Sequence, residues 1–351
     1  MKNSSSILFA LIVIFFLFSC NEPENNQKEH TKSEWLTDFF SEVKTYPDIS
    51  AVSYWHENFD TTYFRLDSSD ETLTSFQSLI QDSSFGEECV FEDQKLIPIV
   101  GEKYFGSFPD FCGEEDCVSS TKIGDYETLI DKDLSWVYFS NNWNETLVFP
   151  EEAVTTIVNA NRVPFIRLLP RSEFEAYRKD PIWDLMDIIN GIHDEALVEW
   201  AIAAKNTEVN LLVEFGTEVN GRWFSWNGLY YGGGETDQYG DPSFPDGPEI
   251  FRDAYRHIIS ICDAQEADNI TWFYHFDVSS DPQEEWNNPV YYYPGDAYID
   301  WLGVSTYGPY SKTDDYEDLS PSILLEQAHD RFLEISTEKP YAVLEFGCTE
   351  L

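Results

Sequence analysis

The chain has 351 residues, of which 42% are hydrophobic and 16% aromatic. This composition supports one large domain or two ordinary ones, and it excludes a chain that is disordered throughout. The 65 Asp and Glu residues outnumber the 21 Lys and Arg residues, giving a formal net charge of -44. Because so acidic a surface repels phosphate backbones, a nucleic-acid ligand is excluded and a neutral or cationic partner is favoured.

The first residues have the pattern of an export signal. Lys2 precedes an apolar run over residues 7–18, which as a helix would span about 18 Å and is too short for the ~30 Å hydrocarbon core of a membrane. We therefore predict a signal peptide in residues 1–19. The run ends in Leu-Phe-Ser-Cys20, which resembles a bacterial lipobox and implies lipidation of Cys20. An ordinary secretory signal that happens to end in cysteine is the alternative.

Residues 20–33 are polar and lack apolar periodicity, so we predict a flexible tether. Together with the lipidation of Cys20, this predicts a protein held to the membrane by an N-terminal lipid anchor. The expected location is the cell envelope, at the outer membrane or cell surface of a Gram-negative bacterium.

Five cysteines follow Cys20, an odd number for an exported chain, so at least one thiol is expected to be unpaired or to bond between chains. Cys112 and Cys117 have a spacing that suits a small loop disulfide. Since there is no CxxC pair and the six histidines are scattered, we expect no zinc site, no structural metal and no cofactor.

Seven short apolar or aromatic runs predict strands from residue 97 onward. They cover residues 97–106, 136–140, 163–169, 210–215, 270–276, 299–306 and 341–346. Helix-like stretches such as 196–205 and 249–264 lie between them, with apolar residues at spacings of three and four. Alternating strands and helices predict an α/β fold with a parallel sheet and right-handed crossovers.

A closed (β/α)8 TIM barrel needs eight strands, one more than this count. Residues 34–85 contain a helical pattern at 34–46, a strand-like run at 49–55 and a second helical pattern at 71–81. Helix, strand, helix is the unit that completes the circle.

Three blocks of sequence carry a resemblance to a known family. They are EFGTEVNGRWFSW at 214–226, YPGDAYIDWLGVSTY at 293–307 and KPYAVLEFG at 339–347. With these blocks in this order, residues 97–351 resemble glycoside hydrolase family 26, which includes β-mannanases. The resemblance implies a TIM barrel that hydrolyses a β-linked polysaccharide with retention, most often as an endo-β-1,4-mannanase.

Residues 34–85 resemble the end of that family's domain, with Ser53 to Glu57 in the place of its eighth strand. We therefore predict a circularly permuted barrel, with helix 7, strand 8 and helix 8 first and residues 86–96 leading into strand 1. Barrel termini adjoin in space and surface loops tolerate new ends, so such a rearrangement is physically easy. A truncated gene with a leftover repeat, or an unrelated helical adaptor, are the alternatives.

The predicted organisation is thus one hydrolase barrel at 34–351, in which residues 34–85 supply strand 8 and residues 97–351 supply strands 1 to 7. We expect a monomer.

The family resemblance implies that Glu218, after the fourth strand, is the acid/base and that Glu345, at the end of the seventh, is the nucleophile. The carboxyl ends of parallel barrel strands share one mouth, and retention requires carboxyl groups about 5 to 5.5 Å apart. We expect Glu218 to be held neutral and Glu345 to be kept ionised by hydrogen bonds, with Tyr307 as one donor. Glu214 is expected to be structural and to pair with an arginine such as Arg167.

Aromatic and polar residues near the predicted strand ends suit a carbohydrate cleft, because sugar C–H faces stack on aromatic rings and sugar hydroxyls need polar partners. The predicted substrate contacts are Trp55, Trp143, Arg167, Asn220, Trp223, Trp226, His275 and Tyr307. Arg167 and Arg171 flank the third predicted strand, where one of them could bond sugar hydroxyls; a salt bridge across the barrel is the alternative. Asn220 either orients Glu218 or contacts substrate.

One residue departs from the family pattern. Thr217 stands where the family's mannanases often have histidine, which weakens the substrate assignment but not the reaction type. Hydrolysis of another β-glycan, such as β-1,3-xylan or mixed-linkage glucan, is the alternative, and a non-catalytic carbohydrate-binding lipoprotein is the rival. The glycine-rich loop 230–240 is long and polar, so we expect it to form a wall of the cleft. It lacks GxxxxGK, so we do not expect a phosphate site there.

Overall fold

The structure is a computed structural model that describes residues 30–58, 62–111, 113, 115–174, 177–311, 314 and 316–350. The predicted signal peptide, Cys20, most of the tether and Cys112 lie outside these residues. Cys117 is disulfide-bonded, and Cys89, Cys262 and Cys348 are free thiols. Within the described ranges, no helix is both long enough and apolar enough to cross a membrane.

The strands in chain order are β1 (Ile49–Trp55), β2 (Phe85–Gly86), β3 (Phe91–Glu92), β4 (Lys95–Leu96), β5 (Lys103–Phe108), β6 (Trp136–Asn142), β7 (Val163–Leu169), β8 (Leu211–Phe215), β9 (Ile270–Asp277), β10 (Trp301–Tyr307) and β11 (Tyr341–Gly347). The helices are α1 (Lys32–Glu42), α2 (Asp70–Ile80), α3 (Ser120–Ile130), α4 (Glu151–Asn159), α5 (Leu185–Ile189), α6 (Asp194–Asn206), α7 (Asp246–Ala264) and α8 (Pro321–Ile335).

Strand β1 closes the barrel. It pairs in parallel with both β11 and β5, so that Val52 lies opposite Val343 on one side and Phe105 on the other. The remaining barrel strands follow in sequence order from β5 to β11. The fold is therefore a (β/α)8 barrel in which the N-terminal helix, strand and helix fill the eighth position, the arrangement expected of the permuted chain.

Helix α1 fixes this N-terminal unit to the end of the chain. The ring of Phe39 stacks on Phe346 of β11 with centroids 4.0 Å apart, and the indole of Trp35 donates a hydrogen bond of 2.9 Å to the Leu319 carbonyl. These buried aromatic contacts attach the first helix to strand β11 and to the loop before α8.

The folded domain begins before the predicted boundary. Thr31 caps α1, and its side chain and that of Glu34 accept from each other's backbone N–H groups at 3.1 and 3.2 Å. Lys32 is fully buried, and its ammonium group donates to the carbonyls of Tyr63 and Arg65. Residues 31–33 therefore belong to the barrel, and the tether prediction was wrong for them.

Most predicted strands match the observed ones to within two residues, but the run at 97–106 does not. Strand β5 begins at Lys103, because Gly101 adopts a positive φ of 84° and the Glu102 amide bonds back to the Ile99 carbonyl in a turn. The residues that lead into β5 include the β3–β4 hairpin.

Candidate active site

A cavity of about 670 Å³ lies at the carboxyl ends of the barrel strands. Its lining includes Glu218, just after β8, and Glu345 of β11. Trp55, Arg167 and Tyr307, from three further strands, line it as well. The parallel barrel therefore brings both predicted catalytic carboxylates to one cavity, although they are far apart in sequence.

Glu345 is 4% exposed and is held by donors on both oxygens. The Tyr307 hydroxyl donates to Oε2 at 2.8 Å, as expected, and Nη2 of Arg167 lies 3.3 Å from Oε1. Burial nevertheless raises the pKa of Glu345 to about 7; the Glu218 charge also raises it, while Arg167 opposes the rise. Burial therefore opposes the ionisation of Glu345 that the hydrogen bonds from Tyr307 and other donors favour.

Glu218 sits in a strained turn after β8. Its φ of 49° lies in the left-handed region, which is sparsely populated for residues other than glycine. Gly216, two residues earlier, has a φ of 64°, and a Cβ there would lie 2.7 Å from the Phe251 ring. The indole of Trp223 donates to Glu218 Oε2 at 2.7 Å, which fixes the direction of the carboxylate in the cavity.

Beneath the two carboxylates lies a buried polar cluster of Tyr138, Arg167, Glu214 and His275, which we call the floor. Glu214 accepts from the Tyr138 hydroxyl at 2.6 Å and lies 2.9 Å from His275 Nδ1 and 3.6 Å from Arg167 Nε. Burial alone would raise the pKa of Glu214, but His275 and Arg167 bring it below its usual range. Glu214 therefore has the structural, arginine-paired position that the sequence predicted.

Arg167 is the central cation of the floor. Besides Glu214 and Glu345, it pairs with Glu115, whose Oε2 lies 2.7 Å from Nη1. Its guanidinium lies 4.9 Å from the centroid of the Trp55 ring. Arg171 also pairs with Glu115, at 3.1 Å. Arg167 therefore both lines the cavity and forms the salt bridge that the sequence left as an alternative.

Four predicted substrate contacts are not among the residues that line the cavity: Trp143, Asn220, Trp226 and His275. Trp143 is fully buried and packs edge-on against Trp183 with ring centroids 4.7 Å apart. His275 is occupied on both ring nitrogens, with Glu214 at Nδ1 and the Ser305 hydroxyl 2.9 Å from Nε2. These two side chains stabilise the barrel beside and below the cavity.

Asn220 and Trp226 shape the loops around Glu218. The Asn220 side chain accepts from the Asp277 amide and donates to the Asp277 carbonyl, both at 2.8 Å. Trp226 is 1% exposed, donates to the Thr217 carbonyl at 2.8 Å and stacks behind Phe224 with centroids 4.4 Å apart. Asn220 therefore ties two strand ends together, and Trp226 supports a neighbouring ring.

Several cavity residues were missed in the sequence. They include Phe64, Glu115, Tyr177, Phe224, Asp277 and Tyr310. Asp277 offered a signal, since it ends β9 directly after an apolar run. Burial, together with the charge of Glu218, raises its pKa well above the usual range. Glu115 lies in an acidic loop whose sequence does not distinguish it from its neighbours.

The described residues contain a single group with spacing suited to a metal ion, formed by Glu235, Asp237 and Asp246. None of these three lines the cavity.

Similar sequences and solved structures are known for this chain. The model of the family described as Glycosyl hydrolase family 26 matches residues 183–328. Endoglucanase H of Acetivibrio thermocellus is 23% identical over 235 residues, which are 66% of this chain and 23% of that protein. The chain thus spans about a quarter of the length of this relative.

Among solved structures, GH26A of a Muricauda species is 15% identical, with 64% of this chain and 71% of that chain covered and a TM-score of 0.43. The mannanase man26 of Bacillus subtilis is 12% identical, with 92% and 87% covered and a TM-score of 0.41. The family match over residues 183–328 confirms the resemblance to glycoside hydrolase family 26.

Proposed function

We propose that this chain is a retaining glycoside hydrolase that cleaves a β-linked polysaccharide, with Glu218 as acid/base and Glu345 as nucleophile. The observation that carries the proposal is that both carboxylates line one cavity at the carboxyl ends of the barrel strands. Aromatic rings, including Trp55 and Trp223, line the same cavity and suit the C–H faces of sugar rings.

In the first step, the carboxylate of Glu345 attacks the anomeric carbon while Glu218 donates its proton to the leaving glycosidic oxygen. This forms a covalent glycosyl-enzyme and releases one sugar chain. In the second step, Glu218 takes a proton from water as the water attacks the same carbon, which frees Glu345 as a carboxylate. Tyr307 and Arg167, which contact Glu345, stabilise the ionised form needed at the start and end of the cycle.

For the substrate we propose β-1,4-mannan, on the basis of the resemblance to β-mannanases. The relative is named an endoglucanase, so mixed-linkage β-glucan is the second candidate. Thr217 does not decide between mannan and glucan. Its side chain is shorter than the histidine that the family's mannanases often have at this position, and its hydroxyl lies 2.8 Å from His275 Nδ1, below the cavity. β-1,3-Xylan completes the set of polysaccharides to be tested.

The test measures reducing ends released from each polysaccharide by the wild type and by Glu218→Gln and Glu345→Gln. Each substitution keeps the shape of the side chain and removes the ionisable group, so we expect a rate loss of at least about a thousandfold. Glu199→Gln, which changes an exposed residue of α6, is the matched control and should keep full activity. NMR of the first product should show the β-anomer.

Two outcomes would overturn parts of this proposal. Binding of a polysaccharide without any release of reducing ends by the wild type would favour the non-catalytic binding protein. An initial product of inverted configuration would exclude Glu345 as a nucleophile and leave it at most a general base.

We also propose that the chain is a lipoprotein, anchored to the cell envelope through Cys20. The lipobox-like end of the predicted signal peptide supports this. In a Gram-negative host, the wild type should incorporate labelled palmitate and sediment with membranes, whereas Cys20→Ala should do neither. Release of the unaltered chain as a soluble, unlabelled protein would contradict the lipid anchor.

A further inference from the structure

A second group of acidic side chains lies on the long loop between β8 and α7. Glu235 and Asp237 are exposed on this loop, and Asp246 is the first residue of α7. One carboxylate oxygen from each of the three lies within 4.8 Å of the other two. We call this group the loop carboxylates.

The loop carboxylates form no ion pair with a lysine, arginine or histidine in the described part of the chain. Carboxylates this close repel one another when ionised, and the repulsion is strongest where a group is shielded from water. A cation bound among the three carboxylates relieves this repulsion.

Asp246 provides a second, independent observation in favour of a cation. It is 1% exposed, and its Oδ2 accepts from the backbone N–H of Gln238 at 3.0 Å. Its Oδ1 is buried and has no hydrogen-bond partner among the described residues. Buried carboxylate oxygens are rarely left without a donor or a metal ion. The start of α7 favours a negative charge at Asp246, but this does not explain why Glu235 and Asp237 converge on it.

The backbone also holds these residues in place. The amide of Asp246 donates to the Glu235 carbonyl at 2.7 Å, and the amide of Gly247 donates to the Gly233 carbonyl at 3.1 Å. Gly232, where the loop turns, has a φ of 97°, which favours glycine. The loop is thus already closed against the start of α7 in the conformation that gathers the three carboxylates.

We propose that Glu235, Asp237 and Asp246 bind one calcium ion. Calcium takes six to eight oxygen ligands at about 2.3–2.6 Å in flexible geometry, so oxygens this close to one another can all reach one ion. Water and backbone carbonyls are the usual source of its remaining ligands. Magnesium demands a tighter octahedron, and zinc prefers sulfur and nitrogen. The sequence-based expectation of no structural metal rested on cysteine and histidine patterns, which do not detect an all-oxygen site.

Calcium at this site stabilises the part of the β8–α7 loop that follows the acid/base. This part, after Trp226, packs on Trp286, where a Cβ added at Gly234 would lie 2.7 Å from the indole. The proposed ion joins this loop to α7. Its expected effect is therefore on folding stability and not on the chemistry of the cavity.

The test is calorimetric titration of EDTA-treated full-length protein with CaCl2, together with thermal unfolding in CaCl2 or in MgCl2 of equal ionic strength. The double variant Glu235→Gln/Asp237→Asn removes two exposed ligands. The matched control, Asp125→Asn/Glu199→Gln, removes the same charge from two exposed helical positions. We expect one calcium per chain in the wild type and the control, at least tenfold weaker binding in the loop variant, and a rise in Tm with calcium that the loop variant lacks.

Three results would overturn the proposal: no saturable calcium binding by the wild type, equal affinity in the loop variant, or an equal rise in Tm with magnesium. Because binding and Tm are the readouts, the outcome does not depend on whether the protein hydrolyses a polysaccharide.

Discussion

The floor and the rim of the cavity are built in different ways. The floor residues Tyr138, Arg167, Glu214 and His275 all lie on strands, are at most 3% exposed and use their polar groups on one another. The rim consists of partly exposed aromatic rings on loops. Its members are Tyr177, Trp223, Phe224 and Tyr310. The floor therefore fixes the charges of the site, while the rim presents surfaces for a sugar chain.

This difference predicts how each region responds to substitution. Buried charges in mutual contact are energetically coupled, so the loss of one leaves the others without compensation. Rings on the rim are partly exposed, so a substitution there removes less buried surface and has less effect on folding.

The largest effect is expected for Arg167→Met. This substitution removes the cation that pairs with Glu115, Glu214 and Glu345, so it should lower the free energy of unfolding by about 3 to 5 kcal/mol. Denaturant unfolding at pH 7 gives the measurement. The Arg222→Met control removes an exposed pair with Asp281 and should cost less than about 1 kcal/mol. Similar losses in both variants would show that the floor is not a coupled unit.

A smaller effect is expected from the titration of Glu345. Its pKa rises from 4.5 to about 7 on folding, so the folded chain keeps a proton that the unfolded chain releases between these pH values. This retained proton adds to the free energy of unfolding. The contribution is fully present below pH 4.5 and is lost as the pH rises through 7. Glu345→Gln mimics the protonated form, so at pH 8 it should be more stable than the wild type by up to about 3 kcal/mol, and at pH 4 equally stable.

Unfolding by urea across this pH range measures the difference. Glu199→Gln, at an exposed position on α6, provides the control and should cost little stability. A constant difference between Glu345→Gln and the wild type from pH 4 to pH 8 would mean that burial does not govern the ionisation of Glu345.

The sequence predicted the strand ends better than the rim. Strands are apolar runs with recognisable ends, so Glu345 and Tyr307 could be assigned to the ends of strands that share one mouth. The eighth strand was found in the same way, since 49–55 matches β1 at both ends. For the rim, composition identified the kind of residue but not the direction in which each side chain points.

Trp223 and Trp226 illustrate that limit. Both follow Glu218, but the turn between them places Trp223 in the cavity and Trp226 behind it, where its indole bonds to the Thr217 carbonyl. The raised pKa of Glu345 was also beyond prediction, because it depends on how completely the folded barrel removes that carboxyl from water. Loop direction and desolvation are properties of tertiary packing, which local sequence patterns do not contain.

The smallest effect is expected on the rim. Phe224 lines the cavity and is backed by Trp226 with an angle of 12° between the rings, so it presents a flat face at which a sugar ring can stack. Phe224→Ala should raise KM for the preferred polysaccharide about tenfold, equivalent to about 1.4 kcal/mol, with little change in kcat or in stability. Leu229→Ala, an exposed apolar truncation outside the cavity, should leave KM unchanged. An unaltered KM in Phe224→Ala would show that the sugar chain takes another path, whereas a large loss of stability would place Phe224 with the buried core and remove the contrast between rim and floor.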